Sequence, residues 1–247
     1  MAATVLAVAL MPATSAGADE TTVDCSNGDN LQTAINDADP GDTLVVSGIC
    51  VRLFNFTIGK DLTLVGPATL ESDGGGPVLT VRPSDVSVTI HSLTITNGDH
   101  TNGFGGGIHN RGTVNLHGNS RITGNTALFG GGIFNEGGTV NLHDNSSITD
   151  NTADGDGGGV FDGDGGGILN THGTVNLYDK SSITDNTAAR DGGGIHNRPG
   201  TVNLHDKSSV TGNTADGDGG GIYTVSTVNL HDKSNVTGND PDDIFQP

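Results

Sequence analysis

Residues Gly105–Asn125 read Gly-Gly-Gly-Ile-His-Asn-Arg-Gly-Thr-Val-Asn-Leu-His-Gly-Asn-Ser-Arg-Ile-Thr-Gly-Asn, and the chain carries five copies of this stretch, opening at Gly105, Gly130, Gly165, Gly192 and Gly219. The Thr-Val-Asn-Leu words inside them start at Thr113, Thr139, Thr174, Thr201 and Thr227, at spacings of 26, 35, 27 and 26 residues. A fixed period in the twenties marks a solenoid. Each copy holds three short β-like words separated by turn residues: Gly-Ile-x-Asn, Thr-Val-Asn-Leu-His and Ser-x-Ile/Val-Thr-x-Asn. Strand alternation puts Val114 and Leu116 on one face and Thr113, Asn115 and His117 on the other. Ile108 and Ile122 supply the apolar residues of the other two words. About four aliphatic side chains per coil, at roughly 1.5–3 kcal/mol each, do not offset the ordering of that coil at roughly 1–2 kcal/mol per residue. One coil cannot fold alone, whereas stacked coils share hydrogen-bond ladders and a continuous core.

Three strands per coil, joined in one rotational sense, predict an all-β chain folded as a single-stranded parallel β-helix, with coils about 4.8 Å apart. A leucine-rich-repeat horseshoe of similar period needs more leucines and a helical segment in each repeat. Glycine supplies 41 of 247 residues, about twice the usual share, and the triple glycines predict corners where the backbone turns tightly or approaches another strand. Stacking turns each repeat position into a column. Ile108, Ile133, Ile168, Ile195 and Ile222 form one, and the Val114, Leu116 and Ile122 positions form three more; all four read as core. Asn125, Asn151, Asn186, Asn213 and Asn239 form a fifth at a turn, where an asparagine ladder can pair its amides from coil to coil.

Before the array, Ala2–Leu10 is a short apolar run and Ala16-Gly17-Ala18 fits a small-residue cleavage site, so residues 1–18 read as a secretory signal cut after Ala18. No Lys or Arg precedes the run, which leaves room for a start upstream of Met1. The run is too short to span a bilayer, and no other segment reads as transmembrane. In an exported chain the two cysteines, Cys25 and Cys50, predict a disulfide. Asp29–Asp37 reads as a short helix with Leu31, Ala34 and Ile35 on one face. An open solenoid end needs a cap, so residues 19–42 are assigned as an N-terminal capping helix region, stapled by the disulfide. The β-helix then fills residues 43–247: two to three degenerate coils over 43–104, regular coils over 105–239, and a short polar tail at 240–247 expected to cap little. That makes roughly 7–8 coils.

With the cap helix, Asp39-Pro-Gly-Asp-Thr-Leu-Val-Val46, Lys60-Asp-Leu-Thr-Leu64 and the Gly-Gly-Gly-Ile coils in view, the chain resembles secreted bacterial right-handed parallel β-helix repeat proteins of the pectate-lyase-like superfamily. The resemblance implies the right-handed fold and much less about function, because that superfamily holds lyases, hydrolases and adhesins. The Gly-Gly-Gly-Ile words are also similar to chlamydial polymorphic outer membrane proteins. Those carry a Phe-x-x-Asn word and a C-terminal barrel; here the Asn word is Ser-x-Ile/Val-Thr-x-Asn.

Pectate lyases of the superfamily use an Arg or Lys base and Ca²⁺, so the resemblance makes Arg190 and Arg198 the candidate bases. Arg198-Pro199 echoes a lyase Arg-Pro word. The Asp-Asp pair and Arg-Ile-Lys word of polygalacturonases are absent. Aromatics make up 4% of the chain, with no Trp, and carbohydrate clefts usually offer aromatic surfaces. Lys180, Lys207 and Lys233, beside Asp144, Asp179, Asp206 and Asp232, read as a solvated charge face. The histidine columns, His117, His143, His205 and His231 with Tyr178, and His109 and His196 with Phe134, Leu169 and Tyr223, read as outward-facing strand positions. The long 35-residue step carries Asp154-Gly-Asp156 and Asp162-Gly-Asp164, and later corners carry Asp191, Asp216 and Asp218. Stacked carboxylates repel, by roughly 1 kcal/mol per neighbouring pair in water. Either solvent absorbs this or a Ca²⁺ ion on these seven aspartates does. A net charge of −19 argues against nucleic acid and anionic membranes as partners. The expectation is a secreted or cell-surface, non-catalytic β-helix for binding or adhesion to a polysaccharide or cell-surface ligand. The alternative is a Ca²⁺-dependent polyuronate lyase or related carbohydrate-active enzyme.

Overall fold

The computed structural model describes residues 17–155 and 163–247. The apolar run of the expected signal segment therefore lies outside the described residues, as do Asp156 and Asp162. Among the described residues the strands pair in parallel into sheets of 14, 8 and 5 strands, giving a parallel β-solenoid of about eight turns. Register follows the sequence columns residue by residue: Thr139, Val140, Asn141 and Leu142 pair with Thr113, Val114, Asn115 and Leu116 on one side, and with Thr174, Val175, Asn176 and Leu177 on the other.

The three faces differ from the three words. The Gly-Ile-x-Asn words build the eight-stranded sheet, one strand per turn. The Thr-Val-Asn-Leu and Ser-x-Ile-Thr words both belong to the 14-stranded sheet. The early coils show why. There each pair of words is one long strand, as in Ser87–Thr96, and both Thr113–His117 and Arg121–Thr123 pair with that strand. In later coils the connection is one residue longer, Gly118–Ser120 against Ser92-Leu93, and splits the strand in two. Its first residue is left-handed throughout, Ser92 and Gly118, then Asp144, Asp179, Asp206 and Asp232, with φ between 56° and 70°. Aspartate tolerates this conformation better than most residues. The third face is a word too short to show alternation, Thr126–Phe129 in one coil and Thr152–Ala153, Thr187–Ala188 and Thr214–Ala215 in the next three. Its alanines, Ala127, Ala153, Ala188 and Ala215, are buried.

The four aliphatic columns fill the interior, and Ile108, Val114, Leu116 and Ile122 are fully buried, as are their counterparts in the next three coils. The last coil departs from this, with Leu230 at 47% exposure, because no full turn covers it. The triple glycines answer a packing demand. A Cβ at Gly166 would collide with the carbonyl oxygens of Thr187 and Gly193, so the corner of one coil rests directly on the backbone of the next.

The N-terminal region assigned as a cap also contains a strand. Glu20–Asp24 pairs with Thr43–Ser47, so the sheet begins before the helix. The helix spans Leu31–Asp37, since Asn30 is its N-cap, accepting from the Thr33 N–H. Leu31 and Ile35 close the apolar end. Gln32 adds a polar seal: its Nε2 donates to Thr57 O at 3.0 Å and its Oε1 accepts from Thr57 N–H at 2.8 Å, pairing the open edge of Phe56–Ile58 as another strand would. Cys25 and Cys50 form a disulfide, with Cα atoms 5.2 Å apart, that ties the turn before the helix to strand Thr43–Arg52. The tail is an incomplete further coil rather than a loose end: Asp240 bridges Thr214, and Ile244–Phe245 pairs with Ile222–Thr224.

Asparagine amides join the coils. Asn125, Asn151, Asn186 and Asn213 each donate through Nδ2 to the next Asn Oδ1 at 2.9–3.0 Å, ending at Asn239. The same Oδ1 atoms accept the backbone N–H of the preceding asparagine. A second buried ladder, Asn110, Asn135, Asn170 and Asn197, seals the other corner at 2.7–2.8 Å and ends on Thr224 Oγ1. Asn186 also donates to Ile148 O and Thr184 O. Asn186→Ala therefore strips several buried groups of partners, at about 1–3 kcal/mol each. Urea denaturation of this variant is expected to show a loss of about 3 kcal/mol or more; a loss under about 1 kcal/mol would contradict the ladder's role.

Candidate functional site

The residue before each glycine triplet stands at the corner between the Thr-Ala sheet and the Ile sheet. Backbone pairing aligns these positions as Phe104, Phe129, Asp164, Asp191 and Asp218. Five residues on, past the triplet, a second column occupies the outer side of the Ile sheet: His109, Phe134, Leu169, His196 and Tyr223. The glycines fold the first column back beside the second. In the early coils both are mainly aromatic. Phe104 stacks on Phe129 at 4.9 Å and meets Phe134 at 4.8 Å, and Phe134 meets His109 at 5.1 Å. Across the long step the corner turns acidic. At the junction lies an open groove of about 380 Å³, with Phe104, Phe129, Phe134 and Leu169 as its apolar wall and Asp164, His172 and Arg198 as its polar groups.

Beside the groove, Asp164, Asp191 and His196 are buried together. Their donor atoms lie within 4.8 Å of one another, which makes them the described residues able to share a metal ion. Backbone geometry aims the carboxylates. Asp164 Oδ1 accepts from the Asp191 N–H at 3.4 Å, and Asp191 Oδ1 accepts from the Asp218 N–H at 2.9 Å. The Oδ2 atoms face side chains: Arg190 Nη1 is 3.7 Å from Asp164 Oδ2, Arg190 Nε is 3.4 Å from Asp191 Oδ2, and His196 Nδ1 is 3.3 Å from Asp164 Oδ2.

The seven aspartates expected to share Ca²⁺ do not act as one group among the described residues. Asp164 and Asp191 are together; exposed Asp218 supplies its backbone N–H. Asp154 and Asp216 donate their N–H groups to Ala127 O and Ala188 O, continuing the Thr-Ala ladder. Arg190 sits against the carboxylates, whereas Arg198 lines the groove. His196 is the residue the sequence reading missed. It does occupy an outward strand position, but the folded-back corner covers it, leaving 1% exposed. The signal was the five-residue spacing from Asp191 across a glycine triplet, which places Asp over His only in this coil.

On the outside of the 14-stranded sheet, His117, His143, Tyr178, His205 and His231 stack with centroids 4.4–5.0 Å apart and rings within 11° of parallel. Beside them the aspartate column is exposed but structurally engaged. Asp144 Oδ2 accepts from Gly118 N–H at 2.8 Å, and Asp179 Oδ2 accepts from Asp144 N–H at 3.0 Å. The Gly118 hydrogen bond holds the Asp144 carboxyl below its ordinary range. Burial, with the neighbouring His117, lowers His143. Burial also lowers His109, outweighing its 3.0 Å hydrogen bond to Glu136. For Glu136 burial acts upward, but hydrogen bonds from Arg111 and His109 prevail and leave it lowered.

A family model described as the Chlamydia polymorphic membrane protein (Chlamydia_PMP) repeat matches residues 180–198 and 207–225. Each span runs from the Lys turn through Ser-x-Ile/Val-Thr-x-Asn to Gly-Gly-Gly-Ile. No curated protein and no solved structure matches the chain. The chain is a parallel β-solenoid, two of whose repeats are similar to those of Chlamydia polymorphic membrane proteins. Among the described residues no helix is long and apolar enough to cross a membrane.

The lowered groups set the acid response. His109 and His143 stand below 6.5 in the folded chain, so the unfolded chain takes up those protons first as the pH falls through 6.5. Stability is full above 6.5 and is withdrawn between that value and the folded ones. Glu136 and Asp144 add stability above their ordinary 4.5 and 3.8 and lose it as the pH falls through their folded values. Melting temperature is therefore expected to fall between about pH 7 and pH 5, and His143→Tyr, which copies Tyr178, should reduce that fall. An equal fall in both proteins would contradict the assignment.

Proposed function

We propose that this chain is a secreted or cell-surface solenoid that binds a polysaccharide without cleaving it. The observation that carries this reading is the groove where the aromatic corner meets the acidic one. Phe104 is 43% exposed, stacked on Phe129 and tilted against Phe134, so an aromatic face stands open at the groove. Such a wall offers flat apolar area to sugar rings, and His172 and Arg198 offer hydrogen bonds to their hydroxyls or carboxylates. The similarity of two repeats to those of Chlamydia polymorphic membrane proteins supports a surface setting. The pectate-lyase-like relationship and the right-handed sense of the coil belong to the same proposal. Against a lyase, Arg190 is engaged as the counter-charge of two carboxylates.

The test is retention on an array of immobilised polysaccharides that includes polygalacturonate, with ultraviolet absorbance followed for unsaturated product. At least one polymer is expected to be retained, with no product. Phe104→Ala and Arg198→Ala should each weaken retention about tenfold, worth about 1.4 kcal/mol, without a matching loss of thermal stability. No retained polymer, or retention indifferent to both substitutions, would overturn the reading. Ultraviolet product would instead establish the lyase.

A further inference from the structure

The buried cluster beside the groove has chemistry that polymer binding does not use. Asp164, Asp191 and His196 are 3%, 7% and 1% exposed. Two carboxylates are rarely buried side by side without positive charge to compensate them. Arg190 supplies part of it, but its contacts of 3.4 and 3.7 Å are long beside the 2.7–2.9 Å of a strong charge-assisted hydrogen bond. One guanidinium against two carboxylates also leaves one negative charge over.

His196 is the independent observation. Neither of its ring nitrogens has a hydrogen-bond partner among the described residues. Nδ1 lies 3.3 Å from Asp164 Oδ2 but outside hydrogen-bonding alignment. Buried polar atoms are nearly always satisfied, so an imidazole placed in this way is aimed at something other than its neighbours. Its position is fixed by strand Ile195–Asn197 and by the Tyr223 ring at 4.6 Å. The carboxylates are anchored through Oδ1 alone, each on a backbone N–H from the following coil, which leaves each Oδ2 able to swing toward an ion.

We propose that Asp164, Asp191 and His196 form a binding site for a divalent transition-metal ion of the zinc class, bridging two successive coils. Asp164 belongs to one coil, and Asp191 and His196 belong to the next. The donor set selects the ion. Ca²⁺ takes six to eight oxygen ligands, whereas an imidazole nitrogen with two carboxylates suits zinc, cobalt or nickel. Three protein donors leave a coordination position for water or a ligand oxygen. The present spread of up to 4.8 Å is wider than the roughly 3.3 Å separating ligands about 2 Å from a tetrahedral ion. Binding therefore draws the three side chains together and moves Arg190 off the Oδ2 atoms. The site does not depend on which polymer the groove holds.

The test is equilibrium dialysis and calorimetry of the EDTA-treated protein with Zn²⁺, Co²⁺ and Ca²⁺. One equivalent of Zn²⁺ is expected to bind at least tenfold more tightly than Ca²⁺ and to raise the melting temperature. Co²⁺ is expected to give the visible absorption of a low-symmetry site. His196→Phe puts into the column a residue it already accepts at Phe134, and Asp191→Asn keeps the shape while removing the charge. Each should weaken Zn²⁺ at least tenfold and abolish the Co²⁺ spectrum. His143→Tyr, which removes one imidazole from the outer ring stack while keeping a stacking ring, should leave both unchanged. No stoichiometric Zn²⁺ binding, a preference for Ca²⁺, or Zn²⁺ binding that survives His196→Phe and Asp191→Asn but is lost in His143→Tyr would overturn the proposal.

Discussion

The buried amide ladder is the interaction on which the rest of this structure depends. A solenoid with a period in the twenties must turn its backbone several times per coil, and every turn leaves N–H and C=O groups facing inward. Asn151 and its successors answer this with one side chain per turn, taking the preceding coil's backbone and side-chain donors on Oδ1 and giving Nδ2 to backbone carbonyls of their own and the preceding coil and to the next asparagine's Oδ1. Aliphatic columns alone would hold the coils together but would leave those groups unpaired, and unpaired buried groups cost as much as hydrophobic contacts return. The ladder also fixes register, since a slip of one residue breaks an amide pair at every coil.

Strict columns explain why so much of the fold was legible. Identical residues at identical intervals pair with one another, so the Val, Leu, Ile and Asn columns could be written down from repeat spacing. The less legible parts are those in which one residue does two jobs. The Thr-Ala face has only two strand residues in each of its last three coils, Thr152–Ala153, Thr187–Ala188 and Thr214–Ala215, too few to show alternation. The aspartates at positions 144, 179, 206 and 232 look like surface charge, yet they adopt a left-handed turn, and hydrogen bonds from the preceding coil join them to one another. Gln32 looks like one more polar residue on a short helix, but its amide closes the sheet edge.

The candidate site was half legible for a related reason. The acidic corners mark Asp164 and Asp191, the lyase resemblance marks Arg190, and these three meet. His196 escaped because its column also holds Phe134, Leu169 and Tyr223, which argues against a ligand when a column is read as a unit. Function in a repeat protein resides where columns change. Here the corner passes from Phe104 and Phe129 to Asp164 and Asp191 within two coils, and the strand column beside it changes too. At that break, apolar surface, opposite charges and a buried imidazole without a hydrogen bond among the described residues come together.

The most direct measurement of the central claim is native-state amide hydrogen exchange at the turn asparagines. Backbone N–H groups at turns ordinarily exchange fast, because water is their usual partner. The ladder predicts that those of Asn151, Asn186 and Asn213 exchange as slowly as the neighbouring Thr-Val-Asn-Leu strands, through opening of the whole solenoid. Exchange at those three amides on the timescale of an unprotected loop, with the strands still protected, would contradict it.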